Sequence, residues 1–442
     1  MAIQFEREIV QALRRLGARQ VACAVARRYY AGDHPIEYGK AEFRASIKQL
    51  FAGFRYNLCP VPVDVLSDRL QLTSMQEGEK AAPQWDETVR KVRLDAFQGR
   101  VHREALLCGV CHVLAWEVKG KGTKWFLQAA HLFELAFTDS DSDTPVAGVK
   151  CWIEEQSKRL RVSIYYADRV ERFWFRDPQT SLVQIENLQG LMPFADSEPQ
   201  MQKHGFGVVP AVRFANKDGQ SELTDLIPLQ NALNKSMLDM LLTSEAYGIP
   251  QRYILGLSVE RDPVTGLEKN PIPKGGGVWV FEGEELQVGQ LAAADIAAIS
   301  QSIGDNEERF ARVAGLPIHF IRMGGDVPSG EALRVAESRI SAKARGRTVE
   351  FGNSWEDLSR ISWKTPDADY VALWAPVETV SETEKLDAAQ KKKSIGIPET
   401  QVWKEMGYTE EQIAAFETAN EAKRAKEMER SLRTFAAGLP GA

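Results

Sequence analysis

Two stretches of nearly equal length, residues 225–247 and 292–314, constrain this chain more than any other feature. In the first, Leu226, Leu229, Leu233, Met237 and Met240 recur at helical spacing; in the second, Ile296, Ile299, Ile303, Phe310 and Val313 do. Each predicts a helix about 35 Å long at ~1.5 Å per residue. Pro228 does not break the first. With Asp225 as N-cap it falls in the opening turn, where a missing N–H costs no hydrogen bond. Between the rods lies 248–291, rich in proline and glycine, with Gly275–Gly277 ahead of the strand-like Val278–Phe281. Two matched rods joined this way fold back most simply as an antiparallel stalk with a small irregular cap. On the second rod Gln301, Asp305, Glu308 and Arg312 lie opposite the Ile303 and Phe310 face, so one face packs and the other meets water.

The rest of the chain predicts an α+β protein. Residues 1–33 read as a helix through Phe5, Ile9, Leu13 and Leu16, and 85–110 as another through Val89, Val92, Ala96 and Val101. From about 112 to 215 the period falls to two, and short runs ending in Ile153, Tyr166 and Phe175 predict an antiparallel meander. Asp168, Asp177–Pro178 and Asn187 punctuate it. Residues 315–330 form a loop too apolar for a solvated linker, carrying Ile318, Phe320, Ile321 and Met323. Ser329 then caps a long helix to about 361, striped by Leu333, Ala336, Ile340, Ala344, Phe351, Trp355 and Leu358. Gly346 and Gly352 lie mid-helix, at a cost of up to about 1 kcal/mol each, and predict a bend. Residues 364–380 return to strand, and 382–436 are charged helices.

Composition excludes several classes. The N-terminus mixes acids and bases where a secretory signal needs an apolar run, and no stretch approaches eighteen apolar residues, so no membrane span is expected. Five cysteines, Cys23, Cys59, Cys108, Cys111 and Cys151, are odd in number and lack framework spacing, which suits a reducing cytoplasm. With a net charge of -6 the chain lacks the basic footprint of a tight DNA binder, though loose passage of DNA stays compatible.

Several motifs imitate sites. Cys108–His112 has the form of a c-type haem attachment sequence, but it lies in a dense apolar run and reads as core; no metal or cofactor is expected. Asp139–Asp143 opens like a calcium loop. Thr144 stands where glycine is needed and Lys150 where glutamate is needed, so the segment reads as a solvated turn. Gly120–Thr123 lacks phosphate-loop spacing and reads as a hairpin tip. Lys423, Arg424, Lys426, Arg430 and Arg433 alternate with Glu421, Glu427 and Glu429, as on a solvated helix face rather than a DNA-binding arm.

Six short blocks carry a family likeness: Tyr29–Pro35, Arg103–Gly109, Pro210–Asn216, Ser221–Lys235, Ala314–Pro317 and Pro328–Leu333. In this order and spacing, covering most of residues 25–380, the chain resembles the portal proteins of long-tailed bacteriophages. The resemblance implies a ring of about twelve subunits around a channel for packaging and ejecting double-stranded DNA. It implies a wing at 1–219 and 332–380 and stem helices at 220–247 and 292–315. A clip falls at 248–291, a tunnel loop at 316–331, and a helical crown at 381–442. Gln301, Asp305, Glu308 and Arg312 would line the channel, and Arg322, Met323, Gly324, Gly325, Asp326 and Val327 would form the loop tip. Lys269 and Lys274 of the clip would meet the terminase large subunit and later the head–tail adaptor; major capsid and scaffold proteins are the other implied partners. The location implied is the portal vertex of the virion, with host cytoplasm during assembly. On this expectation the acids of the channel face repel phosphate. Repeating the chain's -6 charge about twelve times gives a total on the order of -70 before screening, which suits sliding rather than sticking. No phosphate loop is present, so no enzyme is expected and ATP hydrolysis falls to the terminase. Two other readings stay open: a thiol-dependent enzyme using Cys108 or Cys111 with a histidine, and an oligomeric scaffold or adaptor that passes no DNA.

Overall fold

The N-terminal stripe folds as helix α1 (Glu6–Tyr30) and divides its apolar face between two cores. Ile9, Leu13 and Leu16 pack on Val149, Val162 and Phe173 of a sheet, whereas Cys23, Ala26 and Tyr29 join the main core. The computed structural model describes residues 3–35, 56–139, 141–176, 188–194, 199–247, 252–256, 261, 263–264, 266, 287–290, 296–322, 330–378, 382–406, 408 and 410–437. These form two units, residues 1–377 and 378–442.

After α1 come α2 (Pro60–Asp68), strands β1 (Leu72–Glu77) and β2 (Lys80–Ala81), and helices α3 (Trp85–Val92) and α4 (Leu94–Cys108). The single helix expected over 85–110 is thus two, broken at Arg93, whose φ is 54°. Trp85 and Leu94 are nine residues apart, about two and a half turns, and would point to opposite sides of one continuous helix. Both belong to the same core, so the break is what lets both be buried.

The expected meander is two sheets. Strands β3 (Val110–Val118) and β4 (Gly122–Gln128) form a hairpin whose tip holds Gly120 at φ 75°. Then come β5 (Phe133–Ala136), β6 (Ala147–Ile153), β7 (Leu160–Tyr165), β8 (Arg169–Phe175), β9 (Leu191–Pro193), β10 (Met201–Lys203) and β11 (Ala211–Ala215). Strands β5 to β8 pair consecutively, and β9 and β10 share the outer edge of β8. β11 instead returns to pair with β3, in the order β11-β3-β4. The first six residues of β3 are all buried, which erases the alternation that marks a half-exposed strand.

Helix α5 (Ile227–Tyr247), strands β12 (Arg252–Leu255) and β13 (Gln287–Gln290), and helix α6 (Ile296–Ala314) follow. Pro228 is the second residue of α5; Leu226, not Asp225, precedes the helix. Asn306 of α6 donates to Ser236 of α5, and Arg252 pairs with Gln290. Lys343 touches both Glu222, just before α5, and the Ala314 carbonyl at the end of α6. Rising numbers on one arm thus meet falling numbers on the other, and the two helices run antiparallel.

Helix α7 (Gly330–Trp363) continues uninterrupted through both glycines. A Cβ on Gly352 would meet Trp374 Nε1 at 3.4 Å and Ala372 Cβ at 3.6 Å, so this glycine makes room for strand β14 (Tyr370–Trp374). β14 pairs with β1, almost three hundred residues earlier. The α7 stripe is buried from Ile340 onward. Ala336 is exposed, and its neighbour Glu337 turns inward to Arg69 at 2.7 Å.

The second unit comprises α8 (Glu382–Ser394), α9 (Glu399–Glu405) and α10 (Glu410–Ala437). The rings of Trp403 and Tyr408 meet Phe416 edge-on, and Val402 and Ile413 are buried. Glu421, Lys423, Arg424, Lys426 and Glu427 are exposed, whereas the side chains of Glu429, Arg430 and Arg433 lie outside the described residues.

Candidate channel wall and its anchorage

Helix α6 divides its residues by angle. Ile303, Glu307, Phe310, Ala311 and Ala314 are buried, while Gln301, Asp305, Glu308 and Arg312 are exposed together on the other side. The electrostatics of that face differ from the expected acidic surface. Arg312 Nη2 bonds Glu308 Oε1 at 2.6 Å one helical turn away, and Arg309 donates to Asn306 at 3.1 Å. Two acids, Asp305 and Glu308, therefore face two bases, Arg309 and Arg312, and the exposed surface is balanced rather than negative. The i,i+4 spacing of Glu308 and Arg312 carries this signal in the sequence.

The buried side is anchored through polar groups. Glu307 accepts from the Tyr56 hydroxyl at 2.7 Å, and burial, with the carboxylate's help, pushes the Tyr56 phenol up to about 12. On α5, Gln230 is fully buried. Its amide donates to Tyr56 O at 2.6 Å and to Asn234 at 3.0 Å, and its carbonyl accepts from the Leu58 N–H at 2.9 Å. Asn231 accepts from Tyr29 at 2.8 Å, and Asn234 lies 2.8 Å from His34. The segments 29–34 and 56–59 are thereby tied to the root of α5. The apolar stripe gave no hint of this; the signal was the run of amides at 230, 231 and 234 beside it.

A second joint connects the helix pair to α7. Glu222, nearly buried, accepts from Lys343 and from Arg347 at 3.3 Å, and Arg347 also donates to Asn216 at 2.5 Å. Of the expected loop tip, Arg322 is described and exposed, and its guanidinium occupies the space above Gly304, where a Cβ would lie 2.8 Å from Nη1. Met323, Gly324, Gly325, Asp326 and Val327 lie outside the described residues, as do Lys269, Lys274 and Ser329. His319 and Arg69 both reach Glu337, at 3.5 and 2.7 Å.

The cysteine motif is core. Cys111 donates to Val101 O at 3.4 Å, and His112 lies buried with its ring 5.2 Å from Phe133. Burial pushes the Cys111 thiol well above its ordinary range and holds the His112 imidazole well below its own. For Cys108, the neighbouring Cys23 thiol and burial act in the same upward direction. Neither thiol has the exposed, electropositive setting a nucleophile needs. Among the described residues no group of three or more His, Cys, Asp or Glu side chains could hold a metal ion, and no helix is long and apolar enough to cross a membrane.

Comparison with known proteins bears on this architecture. The portal proteins of Mycobacterium phages D29 and L5 are each 30% identical to the chain over 230 residues. That match covers 47% of the chain and 47% of each relative, so the chain spans about half the length of the curated relatives it matches. Among solved structures, a chain from the neck of an empty GTA particle computed with C6 symmetry aligns at 12% identity and a TM-score of 0.44, covering 82% of this chain and 92% of that one. A chain from the neck of a native GTA particle computed with C12 symmetry aligns at 10% and 0.44, covering 84% and 95%. The family model for phage portal proteins of the SPP1 Gp6-like type matches residues 23–432, nearly the whole sequence, and the chain belongs to that family.

Proposed function

We propose that the chain is a non-enzymatic portal subunit. About twelve copies form a ring at one capsid vertex, the conduit for double-stranded DNA during packaging and ejection. One observation carries the reading: in a member of this family, helices of 21 and 19 residues run antiparallel, and the second presents a charge-balanced polar face to water. Such a wall offers phosphate no row of free cations. DNA then escapes the salt-sensitive grip that about 6–10 phosphate contacts would impose.

On this reading Gln301, Asp305, Glu308 and Arg312 line the channel, and Arg322 to Val327 form a moving loop tip. Lys269 and Lys274 belong to the clip that meets the terminase large subunit and later the head–tail adaptor, and the wing contacts capsid and scaffold proteins. The chain needs no cofactor. Electron microscopy of the purified chain tests the reading: closed rings with a bore wide enough for duplex DNA are expected. Monomers at every concentration, or rings without such a bore, would refute it.

A further inference from the structure

Three arginines of the first unit converge on one carboxylate. Glu134 of β5 is buried and held by two bases of α1, Arg19 at 2.5 Å and Arg15 at 3.6 Å. Arg213 of β11 pairs across the sheet with His112, whose ring lies against Phe133, the residue before Glu134. Directly paired residues share a face, so Arg213 is on the side of the sheet turned towards β5 and α1. Partial burial lowers its pKa, Glu134 raises it, and Arg19 and Arg15 lower it again. Three positive charges thus share one negative charge. Arg15 keeps 45% of its side chain in solvent. Arg213 is exposed and has no hydrogen bond or ion pair among the described residues. Its forked donors are therefore open to a carboxylate arriving from outside.

The opposite sign is in excess elsewhere on the same unit. Glu77 and Glu79 belong to the β1–β2 turn, and Asp367 and Asp369 to the connection from α7 to β14; all four are exposed. Glu77 pairs with Tyr370, which brings the two segments together at one end of the sheet. Neighbouring bases are engaged: Lys364 by Glu117 at 2.6 Å, and Arg360 by Asp357 at 2.7 Å and Glu356 at 3.8 Å. Within these two segments that leaves Lys80 against four acids.

The two patches lie on different sides of the unit. The Arg213 carbonyl accepts from Ser354 Oγ of α7 at 2.9 Å, and Phe214 beside it turns to Phe351 and Trp355. Side chains alternate along a strand, so Arg213 leaves the face away from α7. The acidic connection begins beyond Trp363, nine residues further along α7, or roughly 13 Å at ~1.5 Å per residue. Two different and complementary patches make a head-to-tail contact, the kind from which closed rings are built.

We propose that the cluster at Arg15 and Arg213 of one copy of this chain receives the Glu77, Glu79, Asp367 and Asp369 patch of the next copy. The proposal rests on the ring reading above and adds the residues that join neighbours. Two charge reversals test it in the full chain: R15E/R213E, which leaves Arg19 on Glu134, and E77K/E79K/D367K.

Each variant alone should raise the protein concentration at which rings appear in mass photometry by at least about tenfold, because like charges then meet at the contact. An equimolar mixture should restore rings of alternating copies, since each reversed patch then faces its complement. Circular dichroism reports whether each variant is folded. Where a reversal fails to fold, R213Q and E79Q/D367N remove charge with little change of shape, and each should still need about threefold more protein. Folded variants that form rings at the original concentration would overturn the proposal, as would folded reversals whose mixture stays unassembled. Loss of duplex DNA binding by R213Q in fluorescence anisotropy, with ring formation unchanged, would give the cluster to nucleic acid and overturn it too. An unaltered chain that forms no rings would overturn the portal reading, and this contact with it.

Discussion

Gln230 is the side chain on which the root of α5 most depends. Replacing it with alanine strands the Leu58 N–H and the Tyr56 carbonyl in a fully buried site and leaves a void. Each orphaned buried group costs about 1–3 kcal/mol, so the loss should total about 3–5 kcal/mol. That is a large share of the roughly 5–15 kcal/mol by which a domain is stable. Gln230→Met keeps most of the volume and removes the hydrogen bonds, so it should recover only the part of the loss due to the void. Urea denaturation below the concentration at which subunits assemble gives the free energies. Hydrogen exchange at the Leu58 amide reports the broken bond directly. A methionine variant within about 0.5 kcal/mol of the original, with Leu58 still protected, would show that these bonds are not what holds the helix, since a single net hydrogen bond contributes about 1 kcal/mol.

Three further outcomes follow from named contacts. Burial lowers the His102 pKa to about 3, and its Nε2 accepts from Trp355 Nε1 at 3.0 Å. Below pH 6.5 the unfolded chain therefore takes up a proton that the folded chain refuses. Stability should be full above pH 6.5 and fall towards pH 3 by about 1.4 kcal/mol per pH unit from this group. His102→Gln should remove that share of the slope in urea midpoints measured between pH 6 and 4, and an unchanged slope would contradict the assignment. Gly109→Ala should cost about 3 kcal/mol or more, since φ is 82° and a Cβ would lie 2.2 Å from Gly219 O; Gly120→Ala, at φ 75° with nothing within 4 Å, should cost only about 1–2 kcal/mol. Equal melting temperatures for the two variants would refute the distinction. Asp305→Lys with Glu308→Lys should slow DNA packaging, most at low salt, by turning a balanced face basic; packaging rates that do not depend on salt would count against α6 facing phosphate.

The helical parts of the fold were legible because their signal is local. The stripes of α1 and α5 and the later part of the α7 stripe repeat within a few residues, and the Gly120 hairpin tip is a local turn; on α6 Ile303 and Phe310 are buried as expected, whereas Ile296 and Val313 are exposed. The exposed grouping of Gln301, Asp305, Glu308 and Arg312 followed from helical pitch alone. Its charge balance was equally local, written in the spacing of Glu308 and Arg312, and the chain's net charge does not record it.

Sequence alone determined the helices α1, α5 and α6, which face of α6 stays wet, and the family blocks from Tyr29 to Leu333. Tertiary structure decided that β11 pairs with β3 and β14 with β1, that the helix over 85–110 breaks at Arg93, and that Glu337 replaces Ala336 as the inward residue. The core position of Cys111 and His112, by contrast, was already legible in the apolar run around them. The physical reason is range. Periodicity is enforced by neighbours three or four residues away, whereas strand partners and the fate of a buried polar group are fixed by segments a hundred or more residues distant, whose approach no local pattern records.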